Sequence, residues 1–265
     1  MALHIGCIGC GSMGGALMGG LARQGGYHLS GYNRTPERMR PLEELGVRRL
    51  HSPSAVAEVA DVLLIGVKPR QVLPLLREVR SALRRETLLV SVAAGVSRRR
   101  IVQAVDARCP VVRCMPNTPA LVGMGVFALC LEDDLLSEED REVLRQIFAR
   151  LGTCVELAEN EFPAFSALMG AGPAYAFSMM QGLVQAGVTL GFAHREARRM
   201  VAALFSGSAM MAEQSDEALQ QLRDNVCSPG GLTIAGVNVL DRAGLTGILV
   251  DAVAAAHARA REMED

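Results

Sequence analysis

The sequence contains no tryptophan, and aromatic residues make up only 4% of its 265 residues although 50% are hydrophobic. A core of this composition must be built from aliphatic side chains and from the 13 methionines, whose flexible thioethers fill irregular gaps. Alanine, leucine and methionine are strong helix formers. The composition therefore favours packed helices over an all-β sandwich, and the chain is long enough for two domains with their own cores.

The chain also lacks an excess of charge of either sign, with 27 Lys+Arg against 28 Asp+Glu. Without a basic face it has no electrostatic footprint for nucleic acid. No apolar run approaches the ~20 residues of a membrane-spanning helix. The first residues show neither the basic start nor the cleavage site of a secretion signal. We therefore expect no nucleic-acid partner and no membrane partner.

The seven cysteines are scattered and odd in number, which does not fit a disulfide framework. Reduced thiols in the cytoplasm are the expectation. Cys7 and Cys10 form a CxxC pair, but no second pair completes the ligand set of a zinc site. We therefore expect no bound metal.

A glycine-rich loop follows the first apolar run of the chain. Leu3 to Ile8 is a predicted strand, Ala16 to Arg23 a predicted helix, and a GxGxxG pattern lies between them. Its glycines permit a tight turn and let a pyrophosphate approach the N–H groups of the helix N-terminus. The pattern predicts a dinucleotide-binding loop. The candidate contacts are Gly9, Gly11, Ser12, Met13 and Gly14.

The end of the second predicted strand bears on the choice of cofactor. His28 to Tyr32 is followed by Asn33-Arg34-Thr35, about 20 residues past the loop, where an NAD-specific site usually has an acidic residue. No acid is present. The Arg34 guanidinium, with the Asn33 and Thr35 side chains, suits a 2′-phosphate, which predicts NADPH in preference to NADH. The alternative is that Arg34 is a solvated turn residue.

Strand and helix signals alternate up to residue 158, which predicts a doubly wound, Rossmann-type domain. Val62 to Val67 and Leu88 to Val92 are apolar runs typical of strands buried on both faces. Ligands bind at the carboxyl ends of such strands, although Lys68 is explained about as well as a solvated charge. The candidate cofactor contacts after these two strands are Val67, Lys68, Pro69, Ala93, Ala94 and Gly95.

Residues 159–265 show helix signals only, and we expect an all-helical domain there. The pattern of Ala174 to Leu190 contains Gly182 and Gly187, and that of Arg195 to Met211 is apolar around its circumference. About 105 residues have too little interior to bury such helices. The pattern predicts a homodimer through the C-terminal helices, and assembly beyond a dimer stays open.

The stretch from Asp224 to Asp241, DNVCSPGGLTIAGVNVLD, combines a turn with the start of an apolar helix. Pro229 and the two glycines after it end one helix, and Thr233 is the expected N-cap of the next. N–H groups in the first turn of a helix lack intrahelical partners and attract an anion, so the stretch offers a carboxylate-sized cradle. These residues alone favour the simpler explanation of a turn and a cap.

Extended to DNVCSPGGLTIAGVNVLDRAG, this stretch resembles the C-terminal signature of pyrroline-5-carboxylate reductases, which make proline from a cyclic imine. GVKP at Gly66 to Pro69, MPNTP at Met115 to Pro119 and GAGPAYAF at Gly170 to Phe177 are similar to further motifs of that family. Met169 and Ala171 depart from the family pattern, which has small hydroxyl residues there. The resemblance implies hydride transfer from NAD(P)H to the C=N carbon of 1-pyrroline-5-carboxylate, giving L-proline.

The resemblance also implies roles for single residues. Asn117 and Thr118 would lie against the nicotinamide. The amides of the turn would hold the substrate carboxylate, and the Thr233 hydroxyl would face the ring nitrogen as the catalytic residue, with an orienting role. The implied substrate contacts are Ser228, Gly230, Gly231, Leu232 and Thr233.

Two other functions compete with this one. A β-hydroxyacid dehydrogenase needs a general base, usually a lysine after the glycine-rich motif of its second domain, and no lysine lies between Gly170 and Arg195. A non-catalytic dinucleotide sensor would keep the Gly9 loop and have no need of the Pro229 to Thr233 cradle. Reduction of the six-membered imine homologue stays open.

Overall fold

The computed structural model of the chain describes residues 2–264. The chain divides into two compact units: residues 1–171 with 257–265 form the first, and residues 172–256 form the second. The first unit contains the sheet, and the described residues of the second form helices joined by turns. The predicted α/β fold with a helical C-terminal part is confirmed, while the predicted boundary between residues 158 and 159 stays a prediction.

One sheet forms the centre of the first unit. Its strands are β1 (His4–Ile8), β2 (His28–Tyr32), β3 (Arg48–Arg49), β4 (Val62–Ile65), β5 (Leu88–Ser91), β6 (Val111–Pro116), β7 (Gly125–Cys130) and β8 (Gly152–Glu156). They lie in the order β3-β2-β1-β4-β5-β6-β7-β8, and all neighbours are parallel except β6 and β7. From β1 the strand order proceeds to β2 and β3 on one side and from β4 to β8 on the other, so the order reverses between β1 and β4. A doubly wound sheet binds its ligand at such a point.

Helices cover both faces of this sheet. They are α1 (Ser12–Gln24), α2 (Arg40–Glu43), α3 (Pro53–Val59), α4 (Pro69–Val79), α5 (Arg98–Ala104) and α6 (Glu138–Ala149). Successive strand residues point to opposite faces. Leu64 of β4 therefore lies in one core cluster with Leu17, whereas Leu63 lies in the other with Val56 and Ile101.

Two helix starts follow the same local rule. Ser137 caps α6, because its Oγ accepts a hydrogen bond from Asp140 N (3.1 Å) while Asp140 Oδ2 accepts one from Ser137 N (2.9 Å). Ser52 caps α3 in a similar way, accepting from Ala55 N at 3.1 Å with Pro53 at the first helical position. The sequence-based expectations lack α3, although Ser52-Pro53 is a standard helix-start signal.

A connector, defined as residues 159–170, follows β8. It consists of a 3₁₀ turn (Glu159–Glu161), α7 (Phe162–Phe165) and a π-helical turn (Ser166–Gly170). Phe162 and Phe165 are buried in a small cluster with Met115 of β6. The connector is thereby packed onto the face of the sheet at β6 and β7.

The second unit has little interior of its own. Its helices are α8 (Gly172–Thr189), α9 (His194–Glu213), α10 (Leu219–Asn225), α11 (Leu232–Arg242) and the first part of α12 (Leu245–Glu264). Gly187 of α8 packs closely on Ala197 of α9, with 3.1 Å between a Cβ built on Gly187 and the Ala197 Cβ. Val184 and Ala197 are the buried residues of 172–256.

None of the helices in the described chain is long and apolar enough to cross a membrane.

Candidate active site

A cleft of about 810 Å³ lies at the carboxyl ends of the central strands. It brings together twelve of the predicted cofactor contacts, which come from four separate loops. These are Gly9, Gly11, Ser12, Met13, Asn33, Arg34, Thr35, Val67, Lys68, Pro69, Ala93 and Ala94. The remaining predicted contacts, Gly14, Gly95, Asn117 and Thr118, are not part of the cleft lining.

The glycine loop at the bottom of the cleft is close-packed. Gly9 has φ +97° and donates its N–H to Tyr32 O (2.9 Å). A Cβ on Gly9 would lie 2.6 Å from Val67 N, and one on Gly66 would lie 2.7 Å from Gly9 O. Gly14 lies beneath the loop, against Gly9 O. The backbone of β1 and that of β4 therefore meet here with no room for a side chain.

The start of α1 is open to an anion. Gly11 is its N-cap and makes no side-chain cap, and the first intrahelical bond runs from Gly15 N to Gly11 O (2.8 Å). The N–H groups of Ser12, Met13 and Gly14 precede that bond and have no intrahelical acceptor. Together with the helix dipole they suit a pyrophosphate.

The end of β2 forms the basic end of the cleft. Asn33 Nδ2 donates to Thr35 O (3.0 Å), which fixes the turn that presents Arg34 to solvent. Arg38, on the following 3₁₀ turn, is a second cation of the lining, and its Nη1 lies 3.5 Å from a Cβ built on Gly11. Arg38 is missing from the sequence-based candidates, although its position four residues after Arg34 was the available signal.

The rest of the cleft lining comes from the loops after β4 and β5 and from α4. Gly66, Arg70, Gln71 and Leu75 line the cleft in addition to the predicted residues. Gly95 has φ +67°, and a Cβ there would lie 3.1 Å from Met263 O, so this residue faces the last turn of α12. Gly95 therefore faces α12, whereas Ala93 and Ala94 line the cleft.

Asn117 follows β6 and is only 6% exposed. Its Oδ1 accepts a hydrogen bond from Val126 N (2.9 Å), and its Nδ2 donates to Met169 O (3.3 Å). Thr118 is exposed at the start of a 3₁₀ turn. The side-chain amide of Asn117 is therefore engaged with the backbone of β7 and of the connector.

The predicted cradle lies in the second unit. Gly231 N donates to Ser228 O (3.0 Å), and Gly230 has φ +68°, as a turn with Pro229 and Gly230 at its centre requires. The prediction that Thr233 is the N-cap of α11 is wrong, because Gly231 is the N-cap and Thr233 is the second helical residue. Gly231 ends the turn with an extended backbone (φ -78°, ψ 175°), so the first helical residue is Leu232.

The first turn of α11 leaves N–H groups without intrahelical acceptors. The first intrahelical bond of α11 runs from Ala235 N to Gly231 O (3.4 Å). The N–H groups of Leu232, Thr233 and Ile234 therefore precede it and lack an intrahelical acceptor. The Leu232 side chain is 90% exposed. The hydroxyl of Thr233 comes from the same first turn as these three donors.

Three thiols of the first unit are poorly suited to nucleophilic chemistry. The hydrogen bond with Cys10 and complete burial raise the pKa of Cys7 well above its ordinary value. Burial also raises the pKa of Cys114 and Cys154, the latter to about 11.

Within residues 2–264, His, Cys, Asp and Glu side chains form no cluster of three that could hold a metal ion.

Comparisons with known proteins agree along the chain. Residues 159–263 match the family model "Pyrroline-5-carboxylate reductase dimerisation", and residues 4–95 match "NADP oxidoreductase coenzyme F420-dependent". The pyrroline-5-carboxylate reductase of Escherichia coli (strain K12) is 34% identical over 258 residues, which cover 96% of this chain and 95% of the relative. Pyrroline-5-carboxylate reductase 2 of Homo sapiens is 34% identical over 272 residues, 99% of this chain and 84% of the relative.

Solved structures show the same similarity. A pyrroline-5-carboxylate reductase from Coxiella burnetii matches with a TM-score of 0.92 and 30% identity over 100% of both chains. Plasmodium falciparum pyrroline carboxylate reductase, solved with NADP bound, matches with a TM-score of 0.86 and 28% identity over 99% of this chain and 98% of that chain.

Proposed function

The chain belongs to the pyrroline-5-carboxylate reductase family, and we infer from this premise how its own residues carry out the reduction of 1-pyrroline-5-carboxylate to L-proline. The cleft of the first unit binds NADP(H), and the cradle of the second unit binds the substrate carboxylate. The observation that carries the proposal is that one chain contains both a dinucleotide cleft with a basic end and a turn of unpaired amides followed by a hydroxyl.

The residues of the cleft fit a dinucleotide. A glycine loop that leaves no space for a Cβ lets a pyrophosphate reach the N–H groups of Ser12, Met13 and Gly14. Asn33, Arg34 and Thr35 are the proposed contacts of the 2′-phosphate, and Arg38 is proposed with them because it lines the same cleft. Two guanidinium groups favour NADPH over NADH, and the lining residues directly after β2, Asn33, Arg34 and Thr35, include no carboxylate.

The nicotinamide end is formed mainly by backbone. Val67, Lys68 and Pro69 after β4, with Ala93 and Ala94 after β5, provide its walls. Gly95 supports the second of these loops from behind. Asn117 contributes through the shape of its loop, since its side chain is bound to the backbone of Val126 and Met169. The side chain of Thr118 is exposed and is the proposed contact of the nicotinamide. When bound, the reduced cofactor supplies the hydride that adds to the C=N carbon.

The cradle has a limited chemical task. A cyclic imine protonated on nitrogen is already electrophilic, so the chain has to orient it and exclude water. The N–H groups of Leu232 and Thr233 hold the carboxylate. Ser228, Gly230 and Gly231 shape the turn, in which the Gly231 N–H donates to Ser228 O. The Thr233 hydroxyl binds the ring nitrogen and orients the ring, without acting as an obligatory acid.

The surface of the second unit indicates how the protein assembles. We propose a homodimer through the C-terminal helices, because these helices expose a large apolar surface in the single chain and monomeric proteins rarely do so. The residues concerned include Phe177, Leu183, Leu190, Met200, Leu204, Met210, Met211, Val239 and Leu240. We also propose that residues 159–265 act as the dimerisation domain and that the protein works in the cytoplasm with reduced thiols.

The deciding experiment is an absorbance assay of NADPH oxidation with purified protein and 1-pyrroline-5-carboxylate, repeated with NADH and with the six-membered imine. Turnover with a higher kcat/KM for NADPH than for NADH is the expected result. Folded protein that binds NADPH but turns over neither imine would refute the substrate assignment and leave the dinucleotide cleft in place.

A further inference from the structure

We propose that Glu159 is a positioning residue for the reduction, because its carboxylate ties the start of α5 to strand β6, next to the nicotinamide end of the cleft. The inference rests on the proposed function of that cleft. Glu159 is not part of the cleft lining. Its Oε1 accepts one hydrogen bond from Arg98 N (2.5 Å) and a second from Arg113 Nη1 (2.9 Å). The first donor begins α5, and the second lies in β6.

Arg98 is held from two sides. While its N–H binds Glu159, its Nη1 binds Asp133 Oδ2 (2.9 Å), and the same oxygen accepts from Val111 N (3.1 Å) at the start of β6. Asp133 is buried and Glu159 is half-buried. α5 directly follows the Ala93-Ala94-Gly95 loop. The position of its first residue therefore determines where that loop ends.

Arg113 is the second anchor. Its side chain is 2% exposed, and the guanidinium carbon lies 4.6 Å from the centre of the Phe162 ring. Because strand residues alternate between faces, Arg113 and Met115 share a face of β6. Met115 packs with Phe162, and Asn117, just past the strand, donates to Met169 O. The connector is thus held at its beginning, middle and end by β6 and the residue that follows it.

Topology decides which half of the cofactor these contacts affect. The adenosine ribose of a dinucleotide lies at the end of β2, and its pyrophosphate lies on the loop after β1. The other half must extend toward the ends of β4 and β5, where Ala93 and Ala94 line the cleft. Glu159 binds the helix that follows those two alanines. Its loss should therefore disturb the nicotinamide half and spare the adenosine half.

Loss of the carboxylate has a direct physical consequence. Arg113 is a buried cation, and a charge-assisted hydrogen bond to such a group is stronger than one between neutral groups. The Arg98 N–H, at the start of a helix, loses its acceptor at the same time. Both α5 and the connector are then free to shift relative to β6.

The test compares Glu159→Ala and Glu159→Gln with wild type, using Glu161→Gln as the matched control. Glu161 lies in the same 3₁₀ turn and is exposed, and its Oε2 accepts from Ala158 N (2.9 Å), away from Arg98 and Arg113. Each protein is titrated with NADP⁺ and with adenosine 2′,5′-bisphosphate, which carries the adenosine half alone. The kcat and KM for the imine are measured on the same preparations.

We expect E159A to weaken NADP⁺ binding about tenfold and to lower kcat by a similar factor, with unchanged affinity for the bisphosphate. E159Q keeps both acceptor contacts and loses only the charge, so the same selective loss should be about threefold. E161Q should behave like wild type. If E159A does not fold, the selective loss of NADP⁺ affinity in E159Q supports the role.

Three outcomes would overturn the proposal or its basis. Wild-type affinity for NADP⁺ and wild-type kcat in both Glu159 variants would show that the carboxylate has no role in the reaction. An equal loss for NADP⁺ and for the bisphosphate would show general structural support and no positioning of one half. Wild-type protein that binds neither compound would refute the proposed function itself, independently of Glu159.

Discussion

Gly9 lies so close to Val67 that a Cβ on Gly9 would stand 2.6 Å from the Val67 nitrogen. Gly9→Ala also places an L side chain at φ +97°. We expect this variant to lose ~2 kcal/mol or more of unfolding free energy and to lose measurable NADPH binding. Denaturant unfolding and a fluorescence titration measure the two effects.

Gly15→Ala is the matched control for this change. Gly15 lies inside α1, where the nearest atom to an added Cβ is Cys10 O at 3.7 Å. Alanine should leave the stability unchanged or raise it by ~0.5–1 kcal/mol, since glycine is unfavourable inside a helix. Equal behaviour of the two variants would contradict the close packing of the glycine loop on β4.

Cofactor preference should depend on the two arginines at the basic end of the cleft. Arg34→Ala and Arg38→Ala should each raise the KM for NADPH about tenfold, because each removes a charge-assisted bond to the 2′-phosphate. The KM for NADH should stay within about twofold. Arg49→Ala, an exposed arginine of β3, is the control. Similar changes with both cofactors would separate these arginines from 2′-phosphate recognition.

Thr233→Ala should lower kcat/KM for the imine about tenfold while the Kd for NADPH is unchanged. Thr233→Ser keeps the hydroxyl and should recover most of the efficiency. Because Gly231 is the N-cap of α11, the alanine variant removes no helix cap, and its Tm should equal that of wild type. Unchanged kinetics in T233A would remove this hydroxyl from the mechanism.

The parts of the fold that depend on local rules could be predicted from the sequence. The bounds of β2 are the predicted ones, and α6 begins after Ser137, a residue type that is favoured as an N-cap. The glycine loop belongs to this group, since a strand, a tight turn and a helix N-terminus leave few alternatives. α3 follows the same local rule, because Ser52 is its N-cap and Pro53 its first helical residue.

What the sequence could not show depends on contacts between distant segments. Asn117 and Met169 are 52 residues apart, so nothing near MPNTP indicates where the Asn117 amide is directed. Gly95 meets the carbonyl of Met263 from the far end of the chain. Glu159 is 61 residues from Arg98 and 46 residues from Arg113, so the local sequence indicates neither contact. Its role as an acceptor for two segments appears only once α5 and β6 lie side by side.

The pH dependence of stability should include a contribution from His4, at the amino end of β1. Burial is the main cause that lowers the pKa of His4 below its ordinary value of 6.5, while the nearby Asp61 opposes the shift. The unfolded chain therefore binds a proton on His4 more readily than the folded chain. Stability falls as the pH decreases from 6.5 toward the folded-state pKa, and His4 contributes nothing above that window.

His4→Gln should remove this contribution. The denaturant midpoint of the variant should fall less than that of wild type between about pH 7.5 and about pH 5.5. NADPH affinity should be unchanged, because His4 begins the strand whose other end carries the cleft. Parallel pH profiles for the two proteins would contradict the assigned shift.

Oligomerisation should depend on the apolar stripe of α9. Met200, Leu204 and Met211 recur at helical spacing and are exposed in the single chain, Leu204 by 55%. Leu135 of the first unit is also 55% exposed, which makes it a matched control. Leu204→Glu should shift the mass measured by light scattering toward the 28.2 kDa protomer, whereas Leu135→Glu should not. A charge on α9 that leaves the mass unchanged would place the dimer interface on another face of the helical unit.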